Sequence, residues 1–575
     1  MNCRRSNGLF WDGVTARLSA IAALACVAVL ATNCDRMSPP GERAPTPKPS
    51  ATIQTTLDAG PATSAVPSAS SAKESKDATS PDAGLEAAVE HHGPWLTVLV
   101  PGAGIYASAK ADKDAKLGYA QSGARLAIKD KPKPGDGCQA GWAELVAGGF
   151  ICANAGTLDE KDQRAKSTLH PPNVDALLPY TYARNTKNGT PMYKSVPSRE
   201  EMRKYEPYLS DEKAKEAREQ KPTITPPEAN PPLASASASS QPVPSTQAIA
   251  SSAPVPSSTA PPEDDNTPWW QKDNAQDKLH EMKLSDLRSD SDDVLAQRMV
   301  KGFYVAVDRT FRWSGRTWYK TTKRMVVPAD RFGIAGPSDF KGVELGSEWQ
   351  LPIAWVYGGL ESAATYEIDA DRKRVKQSGK VDHLQPIQLT DESADIKGTT
   401  YLALKDGKWV KKSQVRVTTP GSPPEGLKDG ESWIDVNLNQ QTLIVFDGTK
   451  PIFATLVSSG KSSKVKDKDH STPTGTWRIR EKHITTTMDG DGTAAGDLPY
   501  SIEDVPYVMY FFRSYAVHGA FWHRNYGAQM SHGCVNLSPL DAKKVFFMTE
   551  PRLPEGWHGI WASSARPGSL VVVHE

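Results

Sequence analysis

The chain is 575 residues long, which exceeds the usual size of a single hydrophobic core, so several domains are expected. It carries 68 basic and 67 acidic side chains, for a formal net charge of +1 at pH 7. A balance this close to neutral gives no electrostatic basis for binding nucleic acid or another acidic polymer. Proline and glycine are abundant but unevenly distributed, and this unevenness marks the domain boundaries.

Residues 1–33 have the pattern of a secretory signal. Arg4 and Arg5 precede an apolar run from Leu18 to Leu30, which is too short to favour a membrane-spanning helix. Cys34 follows directly and resembles the lipidated first residue of a bacterial lipoprotein. We therefore expect export to the periplasm or cell envelope, with a lipid anchor in the membrane at Cys34. The alternatives are an uncleaved anchor or ordinary cleavage nearby.

The cysteine count fits an exported chain. Two of the six cysteines leave with the signal, and Cys34 is the expected lipidation site. Cys138 and Cys152 remain as a pair close in sequence, and a disulfide closing this loop of about 15 residues would stabilise a small domain by about 3 kcal/mol. Cys534 then has no cysteine left to pair with. A thiol kept in an oxidising compartment is best explained by catalysis.

Residues 34–92 consist mainly of Pro, Ala, Ser and Thr with scattered charge, which predicts a disordered tether rather than a core. Order begins with residues 93–160, where short strands alternate with Gly, Asp and Lys turns, as is typical of a small barrel. Trp142 and the closing G-G-F-I-C resemble bacterial SH3-like domains. That resemblance implies a module that binds wall peptides or one that only sets distance.

Two later segments share one pattern, which indicates a repeat. The matching positions are Leu178, Pro179 and Tyr193 in the first segment and Leu351, Pro352 and Tyr366 in the second. We interpret residues 171–334 and 345–420 as two SH3-like repeat units. A Pro/Ser/Ala tract at about residues 223–262 interrupts the first unit, and low-complexity sequence does not cross a compact core, so we expect a disordered insertion. A linker between two half-sized pieces is the alternative.

Residues 430–575 form the last predicted domain, which is again built mainly from strands. Alternating apolar residues on both sides of an Asp-Gly turn predict a hairpin near its start. After Cys534, Ser538 and Pro539 have the pattern that begins a short helix. A strand from Leu570 to His574 closes the chain. The predicted fold class is therefore mainly β and multidomain.

The stretch from Val517 to Leu537 concentrates the chemically active side chains. It contains His518, His523, His532 and Cys534. A thiol becomes a strong nucleophile when a neighbouring imidazole accepts its proton, and this arrangement supplies both groups. Zinc binding is the alternative, but one thiol with scattered imidazoles matches no recognised ligand spacing, so we expect no metal and no cofactor.

The order of motifs in this last domain resembles the YkuD-type L,D-transpeptidase catalytic domain. The motifs are I-D-V-N-L-N-Q-Q-T-L, V-S-S-G, T-P-T-G-T-W, a histidine-glycine pair and S-H-G-C-V-N. The resemblance covers roughly residues 432 to 575. It implies a β-sandwich-like catalytic domain with a short helix after the nucleophile, and chemistry on peptidoglycan stem peptides.

The resemblance also implies roles for individual residues. Cys534 is the expected nucleophile and His518 the expected base, with the backbone carbonyl of Gly519 holding the imidazole in the useful tautomer. His532 is similar to a second family histidine that lines the site. His523 is expected to lie at the surface or to face substrate rather than to act in catalysis.

Close approach of the backbone at Gly533 predicts an oxyanion hole made of its amide and that of Cys534. Ser531 and Asn536 are expected to brace the loop. The family also has an oxyanion-donor tyrosine upstream of the base. The candidates are Tyr500, Tyr507 and Tyr510.

These roles imply a peptidoglycan L,D-transpeptidase that forms 3→3 cross-links by acyl transfer through Cys534. A carbapenem is then expected to acylate the same thiol. The alternatives are an L,D-carboxypeptidase, an enzyme that attaches protein to the wall, and a wall-binding scaffold without turnover. The SH3-like units could bind wall, set distance or cover the active-site groove.

Overall fold

The computed structural model describes residues 91–210, 268–271, 278–357, 359–491 and 498–575. The predicted signal, the expected lipidation site, nearly all of the tether and the Pro/Ser/Ala tract lie outside these ranges. Within them the chain is mainly β and forms several sheets, which confirms the predicted fold class at that level. No helix in the described ranges has the length and apolar character needed to cross a membrane.

The first module consists of eight short strands along which buried and more exposed side chains tend to alternate. They are β1 (Trp95–Val98), β2 (Ala103–Tyr106), β3 (Lys116–Ala120), β4 (Arg125–Ala127), β5 (Lys133–Gly135), β6 (Cys138–Glu144), β7 (Phe150–Cys152) and β8 (Gly156–Thr157). Strand β1 pairs with β4 and β8, and β2 pairs with β3 and β7. An isolated bridge between Ile128 and Leu145 continues the ladder from β4 to β6.

Two further modules follow along the chain. The second contains β9 (Thr181–Asn185), β10 (Thr190–Tyr193), β11 (Leu295–Met299), β12 (Tyr304–Trp313), β13 (Arg316–Thr321), β14 (Val326–Pro328) and β15 (Phe332–Ile334). Short helices α1 (Gln163–Lys166), α2 (Arg199–Tyr205) and α3 (Leu284–Leu287) precede or interrupt it. After β16 (Val343–Glu344), the third contains β17 (Ile353–Val356), β18 (Ser362–Ile368), β19 (Val375–Asp382), β20 (Pro386–Ile396), β21 (Thr399–Leu404), β22 (Trp409–Lys411) and β23 (Val415–Val417).

All three modules share one order of strand pairing. In the third module the order is β19-β18-β22-β21-β20-β17-β23. The second has β11-β10-β14-β13-β12-β9-β15, and the first has β3-β2-β7-β6-β4-β1-β8. The sequence repeat identifies only two of these copies. The predicted SH3-like barrels are not confirmed. In the described part of the chain the two end strands of the third module do not pair with each other, so no closed barrel forms there.

A disulfide links two neighbouring central strands of the first module. Cys138 and Cys152 are joined across the antiparallel pair β6 and β7, at a sequence separation of 14. Trp142 lies on the same strand, is buried, and donates from Nε1 to the carbonyl oxygen of Asp136 at 3.0 Å. The cross-link and the tryptophan together hold a module whose strands are too short to form a large core.

The chain leaves and rejoins the second module on either side of residues 211–267. On the leaving side, α2 ends at Tyr205, whose carbonyl oxygen accepts a hydrogen bond from Arg298 Nη1 at 2.7 Å. On the returning side, the Trp270 ring lies 4.4 Å from the Arg298 guanidinium. Trp270 also occupies the space beside Gly189, where an added Cβ would lie 2.2 Å from its ring. Both flanks therefore pack on the same module.

Two facing sheets form the C-terminal domain. Its strands are β24 (Ser432–Asn437), β25 (Thr442–Asp447), β26 (Lys450–Leu456), β27 (Gly475–Arg478), β28 (Glu481–Gly490), β29 (Tyr500–Phe512), β30 (Tyr515–Gly519), β31 (Val535–Leu537), β32 (Gly559–Trp561) and β33 (Leu570–His574). One sheet has the order β16-β26-β25-β24-β33-β27. The other runs β31-β30-β29-β28-β32. Their inner faces share one core that includes Ile434, Val445, Met509 and Val517.

Helix α4 (Pro539–Met548) follows β31 and is fixed at both ends. At its start Ser538 Oγ accepts from the Asp541 amide at 3.1 Å, as the sequence pattern predicts. Beyond its end the buried Lys482 donates from Nζ to the carbonyl oxygen of Thr549 at 2.7 Å and also to that of Phe546. A helix capped in this way holds the strand before it, and that strand begins directly after Cys534.

The first two modules contact the C-terminal domain through their sheets. Strand β3 extends the second sheet by pairing with β32, with Tyr119 in register with Gly559. Strand β12 adds a parallel bridge between Tyr304 and Ile502. Next to that bridge, the Ala306 amide donates to Glu503 Oε2 at 3.1 Å. The buried carboxyl of Glu503 therefore lies within the contact between the second module and the catalytic domain.

Replacing Glu503 with glutamine should change how stability depends on pH. Burial raises the pKa of this carboxyl from 4.5 to about 7, with Asp504 and Asp489 adding to the rise and Lys323 opposing it. A raised carboxyl pKa means that its stabilising contribution is complete below pH 4.5 and is lost as pH rises through 7. When the pH is raised from 5 to 8, the free energy of unfolding of the wild type should fall by about 2 to 3 kcal/mol, a loss that Glu503→Gln does not show.

Urea unfolding at pH 5 and pH 8 measures this difference directly. Glu348→Gln, at an exposed carboxyl, is the matched control and should track the wild type at both pH values. The prediction fails if the stability gap between Glu503→Gln and the wild type is the same at the two pH values.

Candidate active site

Parallel strands β30 and β31 bring the two principal candidates together. His518 is in register with Asn536 across this pair, so their side chains share one face of the sheet. Cys534 precedes Asn536 by two residues, and alternation places it on the same face. The sequence motifs H-G and S-H-G-C-V-N are therefore adjacent because their strands pair.

Cys534 is half-buried and takes no part in a disulfide. Its Sγ lies 3.8 Å from the carbonyl oxygen of Ser514. It packs beside a group of apolar side chains that includes Ala516, Phe521 and Trp522. The thiol is therefore sheltered, but part of its surface remains open to a substrate.

His518 is built to accept a proton. The ring is 2% exposed, and its Nδ1 lies 3.2 Å from the carbonyl oxygen of Gly519. That carbonyl can only accept, so Nδ1 carries the hydrogen and Nε2 keeps its lone pair. Burial lowers the pKa of His518 to about 4, so the imidazole is neutral at pH 7. A neutral ring in this tautomer is the state that a general base for the Cys534 thiol requires.

Two further motifs clamp the loop before the cysteine. Thr472 Oγ1 donates to the carbonyl oxygen of Gly533 at 2.8 Å and accepts from the Gly460 amide at 2.9 Å. Gly460 also forms a bridge to Ser531. The V-S-S-G and T-P-T-G-T-W motifs thus meet S-H-G-C-V-N, and a threonine hydroxyl joins all three.

The loop geometry corrects the expected oxyanion hole. Ser531 Oγ accepts from the Gly533 amide at 3.1 Å and donates to the carbonyl oxygen of Cys534 at 2.5 Å. The Gly533 amide is therefore engaged within the loop and does not face an oxyanion. Ser531 occupies the bracing position that the sequence analysis gave it.

Gly533 is nevertheless required by the backbone. Its φ is +118°, and an added Cβ would lie 2.4 Å from Tyr515 Cε1. We expect Gly533→Ala to cost about 2 to 4 kcal/mol in unfolding free energy, from backbone strain and overpacking, and to displace Cys534. Urea unfolding and thiol alkylation measure the two effects. Gly346→Ala, where an added Cβ meets nothing within 4 Å, is the control and should behave as wild type. Equal stability of the two variants would contradict the prediction.

Aromatic side chains line one side of the site. The exposed His532 ring stacks on Tyr500, with centroids 5.2 Å apart, and lies 4.7 Å from His470. Tyr510 packs in the same group as Cys534. Tyr507 is fully buried in the opposite core against Phe546, so it is excluded as an oxyanion donor. Tyr500 and Tyr510 remain candidates.

His523 is held through both of its ring nitrogens, and its predicted orientation toward substrate stays a prediction. It is half-buried, and its Nε2 lies 3.0 Å from the side-chain amide of Asn536. Its Nδ1 accepts from the Asn525 amide at 3.3 Å. Burial lowers the pKa of His523 to about 4. The ring is thus held by the protein interior rather than presented at the surface.

The second module supplies part of the wall of this site. Tyr182 stacks on Phe521 with centroids 4.0 Å apart, and its hydroxyl donates to the Asp504 carbonyl oxygen at 2.5 Å. Tyr304 meets the same phenylalanine edge-on at 5.4 Å. Phe521 follows His518 by three residues, so this contact lies beside the base. No local sequence signal marks such a long-range stack.

Within the described ranges, no group of three or more His, Cys, Asp or Glu side chains is arranged to hold a metal ion. The groups that the described residues present at this site are a thiol and an imidazole on one face of the sheet. Such a pair can attack a carbonyl carbon and hold the acyl group as a thioester.

Comparison with known proteins places this geometry in a family. The sequence model for YkuD, the L,D-transpeptidase catalytic domain, matches residues 431–573. These residues are similar to the YkuD L,D-transpeptidase catalytic domain. A curated relative, the putative L,D-transpeptidase YciB of Bacillus subtilis (strain 168), is 26% identical over 152 residues, which cover 24% of this chain and 70% of YciB.

Solved structures with a YkuD-type domain are also similar in part. The L,D-transpeptidase of Xylanimonas cellulosilytica DSM 15894 is 18% identical with a TM-score of 0.18, covering 27% of this chain and 65% of that chain. The catalytic domain of the E. faecium L,D-transpeptidase is 23% identical with a TM-score of 0.19, covering 25% of this chain and 98% of that one. The chain thus spans just under two thirds of the Xylanimonas structure, and these comparisons concern the catalytic domain alone.

Proposed function

We propose that the protein is an L,D-transpeptidase that forms 3→3 cross-links between peptidoglycan stem peptides by cysteine acyl transfer. The observation that carries the proposal is the buried, neutral His518, oriented by the Gly519 carbonyl on the face that also carries Cys534. The YkuD match over residues 431–573 supports the substrate class.

The first half-reaction forms the acyl-enzyme. His518 Nε2 takes the proton of Cys534, and the thiolate attacks the carbonyl carbon of the third residue of a donor tetrapeptide stem. The peptide bond to the terminal D-alanine then breaks, and the leaving amine takes the proton back from His518. The products are a thioester on Cys534 and one D-alanine.

The second half-reaction transfers the stem. The side-chain amine of a diamino acid in another stem attacks the thioester and gives its proton to His518. The C–S bond breaks, and His518 passes that proton to the departing sulfur, which regenerates the Cys534 thiol and the neutral imidazole. Water as acceptor makes the enzyme an L,D-carboxypeptidase, and a protein lysine makes it a wall-attachment enzyme. A scaffold without turnover is the non-enzymatic alternative.

Incubation with disaccharide tetrapeptides, followed by mass spectrometry of the products, tests the proposal. The full chain and its Cys534→Ala variant are compared. Cross-linked dimers that require Cys534 support the transpeptidase. Tripeptides alone indicate the carboxypeptidase, and unchanged substrate leaves the scaffold.

Export and anchoring are part of the same proposal. A lipid on Cys34 and the Pro/Ala/Ser-rich segment after it would carry the C-terminal domain from a membrane into the wall layer, with SH3-like modules binding wall or setting distance. Metabolic labelling with palmitate tests the anchor. Label that is absent from the wild type, or unchanged in Cys34→Ala, overturns it.

A further inference from the structure

A polar pair behind the catalytic residues takes no part in the steps above. His523 Nε2 and the side-chain amide of Asn536 lie 3.0 Å apart. Asn536 is 3% exposed, and among the described residues its Oδ1 has no hydrogen-bond partner. A buried amide oxygen without a partner costs about 1 to 3 kcal/mol, so the pair needs an explanation.

Donor and acceptor counting gives one. The Asn525 amide donates to His523 Nδ1, so in the neutral ring the hydrogen is on Nε2. Burial keeps that ring neutral by lowering the pKa of His523 to about 4. With this tautomer, the Nε2–H of His523 and the NH2 group of Asn536 would be two hydrogen-bond donors that face each other. Exchanging the amide oxygen and nitrogen of Asn536 removes the conflict and gives the oxygen its partner.

The resulting hydrogen bond joins the two segments that hold His518 and Cys534 in register. His523 lies in the loop that follows β30, the strand of His518. Asn536 lies on β31, which begins directly after Cys534. The backbone ladder between these strands is only three residues long. A side-chain bond from the loop to β31 therefore adds a cross-link where the backbone supplies few.

Ser458 is also bonded to both of these segments. Its backbone exchanges hydrogen bonds with that of Asn536, both at 2.9 Å, and its Oγ donates to the Asn525 carbonyl oxygen at 2.8 Å. The loop holding His523 and the strand holding Asn536 are thus both fixed to one residue. The His523 side chain forms a second bridge between Asn525 and Asn536, through its two ring nitrogens.

We propose that His523 is a positioning residue for acyl transfer: its Nε2 hydrogen bonds the Asn536 amide oxygen and holds His518 and Cys534 in register. This role rests on the proposed cysteine chemistry, although the geometry itself does not depend on the substrate. In this role His523 acts through Asn536 rather than on the reacting atoms.

Two variants of similar size distinguish the effect of the His523–Asn536 hydrogen bond from the effect of side-chain packing. His523→Gln places an N–H near the position of Nε2, whereas His523→Leu removes the donor. Alkylation of Cys534 by iodoacetamide at pH 7, followed on the Cys534 peptide by mass spectrometry, reports the thiolate without needing a stem peptide. We expect His523→Leu to slow alkylation about 10-fold to 100-fold and His523→Gln to stay within about 3-fold of wild type.

Nitrogen-15 NMR of the wild-type histidines supplies a readout that no variant can confound. His523 should show a protonated Nε2 and an unprotonated Nδ1. A hydrogen on Nδ1, or equal alkylation by the wild type and both variants, overturns the proposal. An equal loss of alkylation rate in the two variants, in proportion to their loss of thermal stability, also overturns the proposal. The alkylation results could also be as expected while the protein leaves tetrapeptides unchanged. That outcome would overturn the proposed function and leave the positioning role of His523 standing.

Discussion

Replacing Cys534 with alanine should abolish acyl-enzyme formation. The thiol is the nucleophile of the proposed reaction, and Cys534 is the one cysteine among the described residues that takes no part in a disulfide. We expect the rate of acylation by a carbapenem, and of cross-linking, to fall by at least about 10³-fold, which places both below detection. Intact-protein mass spectrometry after exposure to the carbapenem measures the first, because an acyl-enzyme adds the mass of the inhibitor.

Cys534→Ser is the matched control, since its hydroxyl keeps nearly the same volume and leaves the packing beside Phe521 intact. Its unfolding curve should overlie that of the wild type while its acylation stays undetectable, because a serine hydroxyl beside a neutral imidazole is a far weaker nucleophile than a thiolate. Covalent adducts on Cys534→Ala would show that another group reacts, and an unmodified wild type would argue against an activated thiol.

The catalytic pair is predictable from sequence for a physical reason. Strands β30 and β31 are parallel neighbours, so each motif fixes one strand and the pairing joins them. The H-G dipeptide supplies both the base and the carbonyl that selects its tautomer. Helix α4 is predictable on similar grounds, because Ser538 and Pro539 are local signals that act within one turn.

Side-chain hydrogen bonds inside the site are not predictable in this way. Gly533 was expected to point its amide at an oxyanion, but the Ser531 hydroxyl, two residues away, accepts that hydrogen. Tyr507 has the spacing of a candidate donor, yet its backbone adopts a φ of +55° and its ring enters the opposite core. Both outcomes depend on local backbone conformations that residue types do not specify.

Contacts between modules are even harder to predict from sequence patterns. The stack of Tyr182 on Phe521 joins residues far apart in the chain, and each aromatic reads locally as an ordinary core residue. The common pairing order of the three modules is also only partly visible, because the first copy shares the ladder without the repeated Leu, Pro and Tyr positions. Strand order can persist where the side chains that fill the core have changed.

Replacing His518 with glutamine should leave the fold intact and remove the base. Glutamine approximates the size of the ring but accepts no proton near pH 7, so the thiol of Cys534 loses its partner. We expect acylation by a carbapenem to slow about 10²-fold to 10⁴-fold, with the same loss in cross-linking. Stopped-flow or quenched mass spectrometry at pH 7 measures it. A variant that acylates at the wild-type rate would remove His518 from the mechanism.

The same substitution should make the protein less sensitive to acid. Burial lowers the pKa of His518 from 6.5 to about 4, so between these values the unfolded chain binds a proton that the folded protein does not. Stability therefore falls as pH drops through this window. From pH 7 to pH 5 the wild type should lose about 2 kcal/mol that His518→Gln keeps. His92→Gln, at an exposed histidine, should instead follow the wild type. Parallel urea curves for all three proteins at both pH values would show that the imidazole is not held neutral by burial.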